Sequence, residues 1–156
     1  GHLVLSTLHT NDAPSTINRL VDMGIEPCLV ASSVRLIIAQ RLVRRICPHC
    51  AEPYPVEAAA LVRLGFPVSG REPVELKRGK GCLHCRNTGY LGRLGIFEIF
   101  PMSDQLKKLI AGRADDAQLR QVAVREGMTT LREDAWRKVQ AGLTTVEEAV
   151  RVTGDA

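Results

Sequence analysis

The sequence predicts a mixed α/β chain: an α/β amino-terminal part, a cysteine-rich metal lobe and a helical carboxy-terminal part. Three observations predict it. A short apolar run at 3–8 leads into helical patterns. Residues 47–100 hold four paired cysteines and five prolines. From 101 to the end, helical periodicity alternates with capping residues. The composition shifts divide the chain into 1–46, 47–100 and 101–156.

Leu3-Val-Leu-Ser-Thr-Leu8 reads as a buried strand, since it is short, mostly apolar and followed by polar residues. Thr10, Asn11 and Asp12 then offer N-caps for a helix over 13–23, with Gly24 as its stop and Ile17, Leu20 and Val21 on one face. Pro27 suits the first turn of a second helix, 27 to about 40, with a stripe of Leu29, Val30, Val34, Ile37 and Ile38. Residues 41–46 form a short strand. A short helix is predicted near 57–64 and a strand from Arg93 to Phe100. Helices follow near 103–111 and 115–126. Thr130-Leu-Arg-Glu133 and Thr145-Val-Glu-Glu148 are capping boxes that open two more, near 131–141 and 146–152.

Composition excludes several classes. The 156 residues carry a formal charge of +4, a mild basicity that demands neither nucleic acid nor an anionic surface. Aromatic residues are 4% of the chain, too few for a base-stacking platform. Glu26 and Arg35 interrupt the most apolar region, so no stretch has the ~18 uncharged residues of a membrane span. The Gly1-His2 start has no basic region of a signal peptide and no initiator Met, as expected of a piece of something longer.

Cys47-Pro-His-Cys50 and Cys82-Leu-His-Cys85 are two C-x-x-C knuckles separated by 31 residues. Each turn aims two sulfurs at one point, and two such turns close a tetrahedral four-thiolate shell, the usual structural zinc arrangement. The competing reading is four buried or redox-active thiols. Cys47, Cys50, Cys82 and Cys85 are therefore the candidate Zn²⁺ ligands. Four thiolates leave no open position, so this metal would fold the lobe and do no chemistry. His49 and His84 lie outside that shell, and unpaired Cys28 reads as a packed thiol.

His9 falls just past the predicted strand, at the kind of carboxyl edge where α/β sheets bind ligands. His9, Thr10 and Asn11 offer donors to a phosphate there, aided by the following helix N-terminus. Residue chemistry alone favours the plainer reading, in which Thr10, Asn11 and Asp12 only cap the helix and His9 is a surface loop residue.

The run Gly1-His-Leu-Val-Leu-Ser-Thr-Leu-His-Thr-Asn11 resembles the histidine box of the secretion ATPase superfamily, the motors of type II secretion and type IV pilus assembly (the general secretory pathway protein E family). Ala39-Gln-Arg-Leu-Val-Arg44 before Cys47-Pro-His-Cys50 resembles the family's exit from a RecA-like core into a tetracysteine zinc lobe. Cys82-Leu-His-Cys85, Thr88-Gly-Tyr-Leu-Gly-Arg93 and Gly95-Ile-Phe-Glu98 resemble the rest of that lobe. Thr130-Leu-Arg-Glu-Asp134 and Thr144-Thr-Val-Glu-Glu148 resemble its carboxy-terminal helices. The resemblance implies a fold and a function. Residues 1–46 end a RecA-like P-loop ATPase core, 47–100 form the zinc lobe and 101–156 a helical subdomain. It implies a homo-hexamer, cytoplasmic and peripheral at the bacterial inner membrane, that couples ATP hydrolysis to pilin or pseudopilin assembly and protein export with inner-membrane platform proteins as partners. It implies that His9 senses the γ-phosphate of ATP/Mg²⁺, with His2, Thr10, Gln40 and Arg41 near the nucleotide.

The sequence departs from a complete motor. Gly79-Lys80 is the only Gly-Lys step; Gly81 follows it in place of Ser or Thr, and Val74 stands where a first glycine is required. Walker A and the acidic Walker B segment are absent, so the chain by itself is expected to be inactive as an ATPase, supplying phosphate sensing, the zinc lobe and force transmission. A strand at 3–8 without its sheet would also leave exposed apolar surface, as expected of a piece that self-associates or is the ordered remainder of a longer chain. The alternative is a zinc-ribbon nucleic-acid-binding or protein-docking module, with Arg41, Arg44, Arg45, Lys77, Arg78 and Lys80 as a basic face. The scarcity of aromatics argues against nucleic acid.

Overall fold

The computed structural model describes residues 2–154. They form two compact units, each assembled from two stretches of chain: residues 2–39 with 98–130, and 40–97 with 131–154. In chain order the helices are α1 (Ala13–Asp22), α2 (Pro27–Ser33), α3 (Ala58–Arg63), α4 (Asp104–Ala111), α5 (Asp116–Arg125), α6 (Leu131–Gln140) and α7 (Val146–Thr153). The strands are β1 (Leu36–Ile46), β2 (Ala51–Val56), β3 (Val74–Gly79) and β4 (Tyr90–Pro101). β1 pairs with β4 in one two-stranded sheet and β2 with β3 in another.

The first unit packs α1, α2, α4 and α5 around Ile17, Val30, Phe100, Leu106, Ile110 and Leu119, with Leu20 and Val21 partly buried against them. The apolar face predicted for α1 is the one that is buried. Its start follows the predicted chemistry: Asp12 is the N-cap and its carboxylate accepts the Ser15 N–H at 2.9 Å. Ser103 caps α4 in the same way, and Asp115 and Gln118 form a reciprocal capping box on α5.

The second unit buries Val43, Ile46, Leu61, Leu76, Ile96 and Val139. Phe66 stacks on Trp136 with ring centroids 4.9 Å apart, and Arg132 lies over the Phe66 ring while donating to the Leu64 carbonyl and the Thr153 hydroxyl. β2 and β3 run antiparallel from Ala51 opposite Gly79 to Val56 opposite Val74. Pro53 and Pro55 sit two apart in β2, on one edge of the strand. Proline has no N–H to give, so that edge is closed to further pairing.

Five elements differ from the sequence reading. Residues 3–8 form no strand: Leu3, Val4 and Leu5 are 84%, 78% and 89% exposed. A buried strand needs a hydrogen-bonded neighbour, and among the described residues none pairs with this segment. The helix from Pro27 stops at Ser33, and Val34 is already extended. The stretch after it is rich in β-branched residues, and its apolar spacing fits either period. Pairing with β4 decides for strand, so β1 starts at Leu36, five residues before the predicted 41–46. β2 and β3 were not predicted, because prolines and charges mask a strand signal that only pairing completes.

Candidate metal centre and the histidine segment

The four knuckle cysteines converge. Their sulfurs all lie within 4.8 Å of one another. Cys47 and Cys82 are 3.8 Å apart, Cys50 and Cys85 3.9 Å, and Cys82 and Cys85 3.7 Å. Four sulfurs about 2.3 Å from one tetrahedral ion stand about 3.8 Å apart, whereas a disulfide needs about 2.05 Å. The spacing fits a shared metal ion, and all four cysteines are free thiols.

Local backbone makes the convergence possible. Cys47 and Cys50 occupy the turn between β1 and β2, and Cys82 precedes and Cys85 ends a single 3-10 turn, Leu83–Cys85, between β3 and β4. Gly81 and Gly89, both in the left-handed region, donate their N–H groups to Cys50 Sγ at 3.3 Å and Cys85 Sγ at 3.2 Å. Cys85 Sγ also accepts the Cys82 N–H at 3.2 Å. Burial disfavours the charged form of Cys85, but these two N–H groups and the neighbouring sulfurs outweigh it and bring the thiol down to about 6. Burial pushes Cys50 up to about 12, and its sulfur neighbours reinforce the shift. Cys85 ionises readily while Cys50 resists, and a divalent cation between the four sulfurs would be the natural counter-charge.

Exposed His49 and His84 stack on each other, ring centroids 4.1 Å apart, one from each knuckle. With four sulfurs present, neither is needed as a ligand. Cys28 is exposed, not packed: it lies on the outer side of α2, whose buried residues are Pro27, Val30 and Ala31.

His2 and His9 lie exposed in the irregular leading segment, whose first histidine-box residue, Gly1, falls outside the described residues. Thr10 folds back over α1, its hydroxyl 2.8 Å from that of Thr16 and donating to the Asp12 carbonyl at 3.1 Å. Gln40 and Arg41 belong to β1, in the second unit. The N-terminus of α1 differs from expectation in one respect. Its first donors are already taken by the protein's own carboxylates: Ala13 N–H by Glu98 Oε1 at 2.8 Å and Ser15 N–H by Asp12 Oδ1 at 2.9 Å. Anionic side chains seal the positive end of this helix, leaving little there for a phosphate.

Two charged residues that matter here escaped the sequence reading. Glu98 is 1% exposed and stands 3.6 Å from Arg120, which also pairs with Asp12. Glu148, expected to complete a capping box, is fully buried and instead accepts from the Arg44 backbone N–H at 2.7 Å and from the guanidiniums of Arg44 and Arg151. Burial works against its ionisation, yet Arg151 and Arg44 hold it at about 2. Arg44 also stacks over Tyr90, whose hydroxyl is 2.8 Å from that of Thr145. Of the predicted basic face, Arg44 is thus tied to Glu148, and Arg78 is paired with Glu52 over the Tyr54 ring.

The fold resembles part of the pilus retraction motor PilT: the crystal structure of that protein with bound ADP matches 99% of this chain and 33% of its own, with a TM-score of 0.61 at 23% identity. The chain belongs to the type II/IV secretion system protein family, whose model matches residues 1–151. The type IV pilus assembly ATPase PilB of Myxococcus xanthus is 49% identical over 96% of this chain and 27% of its own length. The type II secretion system protein E of Pseudomonas aeruginosa is 48% identical over 98% and 30%, and the type II secretion system ATPase E of Vibrio cholerae 45% identical over 100% and 30%. The chain therefore spans less than a third of the length of these relatives. Among the described residues no helix is long and apolar enough to cross a membrane.

Proposed function

We propose that this chain is the carboxy-terminal part of a motor ATPase that couples ATP hydrolysis to pilin or pseudopilin assembly and protein export. The observation that carries this reading is the match of nearly the whole chain to relatives named as secretion and pilus-assembly ATPases, at 45–49% identity. In that motor, residues 1–46 end the RecA-like core, 47–100 form the zinc lobe and 101–156 the helical subdomain; residues 155–156 lie outside those described. Cys47, Cys50, Cys82 and Cys85 hold one zinc ion, which as a closed four-thiolate centre locks the two knuckles together and takes no part in hydrolysis. His9, exposed and free of the sealed α1 terminus, donates from its imidazole to the terminal phosphate of bound ATP/Mg²⁺. His2, Thr10, Gln40 and Arg41 lie near the nucleotide in the assembled motor. The motor is a cytoplasmic homo-hexamer working against inner-membrane platform proteins, and this part transmits force to them. The chain alone, without Walker A, does not turn over ATP.

The test is phosphate release from a full-length motor carrying this chain, with and without His9→Ala. The reading expects ATP turnover in the parent and about a hundredfold lower kcat in the variant. No turnover in the parent, or equal turnover by the isolated chain, overturns it.

A further inference from the structure

We propose that Arg120 is a positioning residue: by bridging Asp12 and Glu98 it ties helix α5 to the peptide that carries His9 and Thr10, so the histidine segment is held in place by α5. The inference rests on the reading of His9 given above and adds the residue that sets where His9 stands.

Capping alone does not explain the cluster. One Asp12 oxygen already satisfies the Ser15 N–H at 2.9 Å, which is all an N-cap has to do. The structure adds two charged groups from distant elements. Glu98, from β4, takes the Ala13 N–H at 2.8 Å and is 1% exposed. Arg120, from α5, pairs with the second Asp12 oxygen and lies 3.6 Å from Glu98. Two buried carboxylates around one guanidinium add little to stability over well-packed apolar residues, because each charge must be taken out of water. What the arrangement does supply is geometry. Asp12 cannot shift without breaking its pair with Arg120, and Ala13 cannot shift without leaving Glu98. Thr10, next to His9, is in turn held to the Asp12 carbonyl and to Thr16. A second tie between the same two helices, Asn18 to Asp116 at 2.6 Å, fixes α5 along α1. The chain of contacts runs from α5 through Asp12 to the residue beside His9 and lies within one compact unit.

A double-mutant cycle in the full-length motor tests this. Arg120→Met is expected to lower kcat about tenfold at unchanged KM for ATP, Arg120→Lys to recover most of it, and Arg120→Met to cost nothing further in a His9→Ala background. An equal loss in both backgrounds, or a lower melting temperature with kcat per folded hexamer unchanged, overturns the proposal. Amide hydrogen exchange separates its failure from failure of the His9 reading. Arg120→Met should speed exchange at Asn11 and Ala13 about tenfold while Ile110 in α4 keeps its rate. Unchanged exchange at Asn11 and Ala13 overturns the positioning role whatever His9→Ala does to turnover. Should Arg120→Met not fold, Glu98→Gln, which keeps an acceptor and removes the charge, takes its place in the same measurements.

Discussion

Gly79 and Gly89 cross backbone to backbone beside the cysteine cluster. A Cβ placed on Gly79 would lie 2.6 Å from the Gly89 Cα and closer still to its carbonyl oxygen. That oxygen accepts the Cys47 N–H at 2.9 Å, and the Gly89 N–H donates to Cys85 Sγ at 3.2 Å. One methyl group on Gly79 therefore disturbs the surroundings of two of the four cysteines at once.

Gly79→Ala is expected to weaken zinc binding about 10–100-fold, the usual cost of moving a ligand's supporting contacts. Competition with a chromogenic chelator measures it. Gly112→Ala is the control, since its Cβ meets nothing closer than 3.4 Å. Equal affinities for the two variants would remove the crossing from the list of features that shape the centre.

Glu148 makes stability pH-dependent. A free glutamate titrates near 4.5, and in the fold Glu148 titrates at about 2. Its contribution is whole above about pH 4.5 and is lost as pH falls toward 2. The partly exposed guanidiniums of Arg44 and Arg151 are screened by water, so the contribution is roughly 2 kcal/mol. Glu148→Gln should lose that amount at neutral pH and flatten the acid side of the stability curve over this window. Urea titrations at pH 7, 4.5 and 3 read both effects; parallel curves for parent and variant would contradict the role.

Asp12 does two jobs that substitution can separate. Asp12→Asn keeps an acceptor for the Ser15 N–H and breaks the pair with Arg120; Asp12→Ala loses both. Asp12→Ala should be the less stable of the two by about 1 kcal/mol, the worth of a cap, in denaturant unfolding. Equal stability would mean that the cap contributes nothing here.

The sequence made the cysteine cluster legible and left its reach hidden. C-x-x-C spacing is local, so four converging cysteines were readable from two short runs. The caps at Asp12 and Thr145 were readable for the same reason. Pairing between distant strands was not: β1 and β4 are separated by the whole cysteine-rich stretch, and the apolar spacing of 34–40 fits helix and strand alike until a partner is present. Glu98 did leave a signal. It alternates with Ile96 and Phe100, both fully buried, so a charge stood on the inward register of a strand and required a buried partner. Glu148 was misread because the capping-box pattern has no means of registering Arg44, more than a hundred residues away.

Removal of the metal should reach beyond the knuckles. The Ile46 N–H donates to the Leu143 carbonyl at 2.9 Å and the Thr144 hydroxyl to the Arg44 carbonyl at 2.8 Å, so the end of β1 is fastened to the turn between α6 and α7. In Cys82→Ser, hydrogen exchange is expected to rise in β1–β3 and also in α6 and α7, while α4 and α5 keep their protection. Exchange confined to residues 47–100 would show that those fastenings carry no energy.

Zinc K-edge X-ray absorption on the purified protein, with metal content measured on the same sample, is the most direct test of the four-cysteine centre. Expected are one zinc per chain and a single shell of four sulfurs at about 2.3 Å. Absence of zinc, or a shell in which nitrogen or oxygen replaces sulfur, would contradict the assignment of Cys47, Cys50, Cys82 and Cys85 as its ligands.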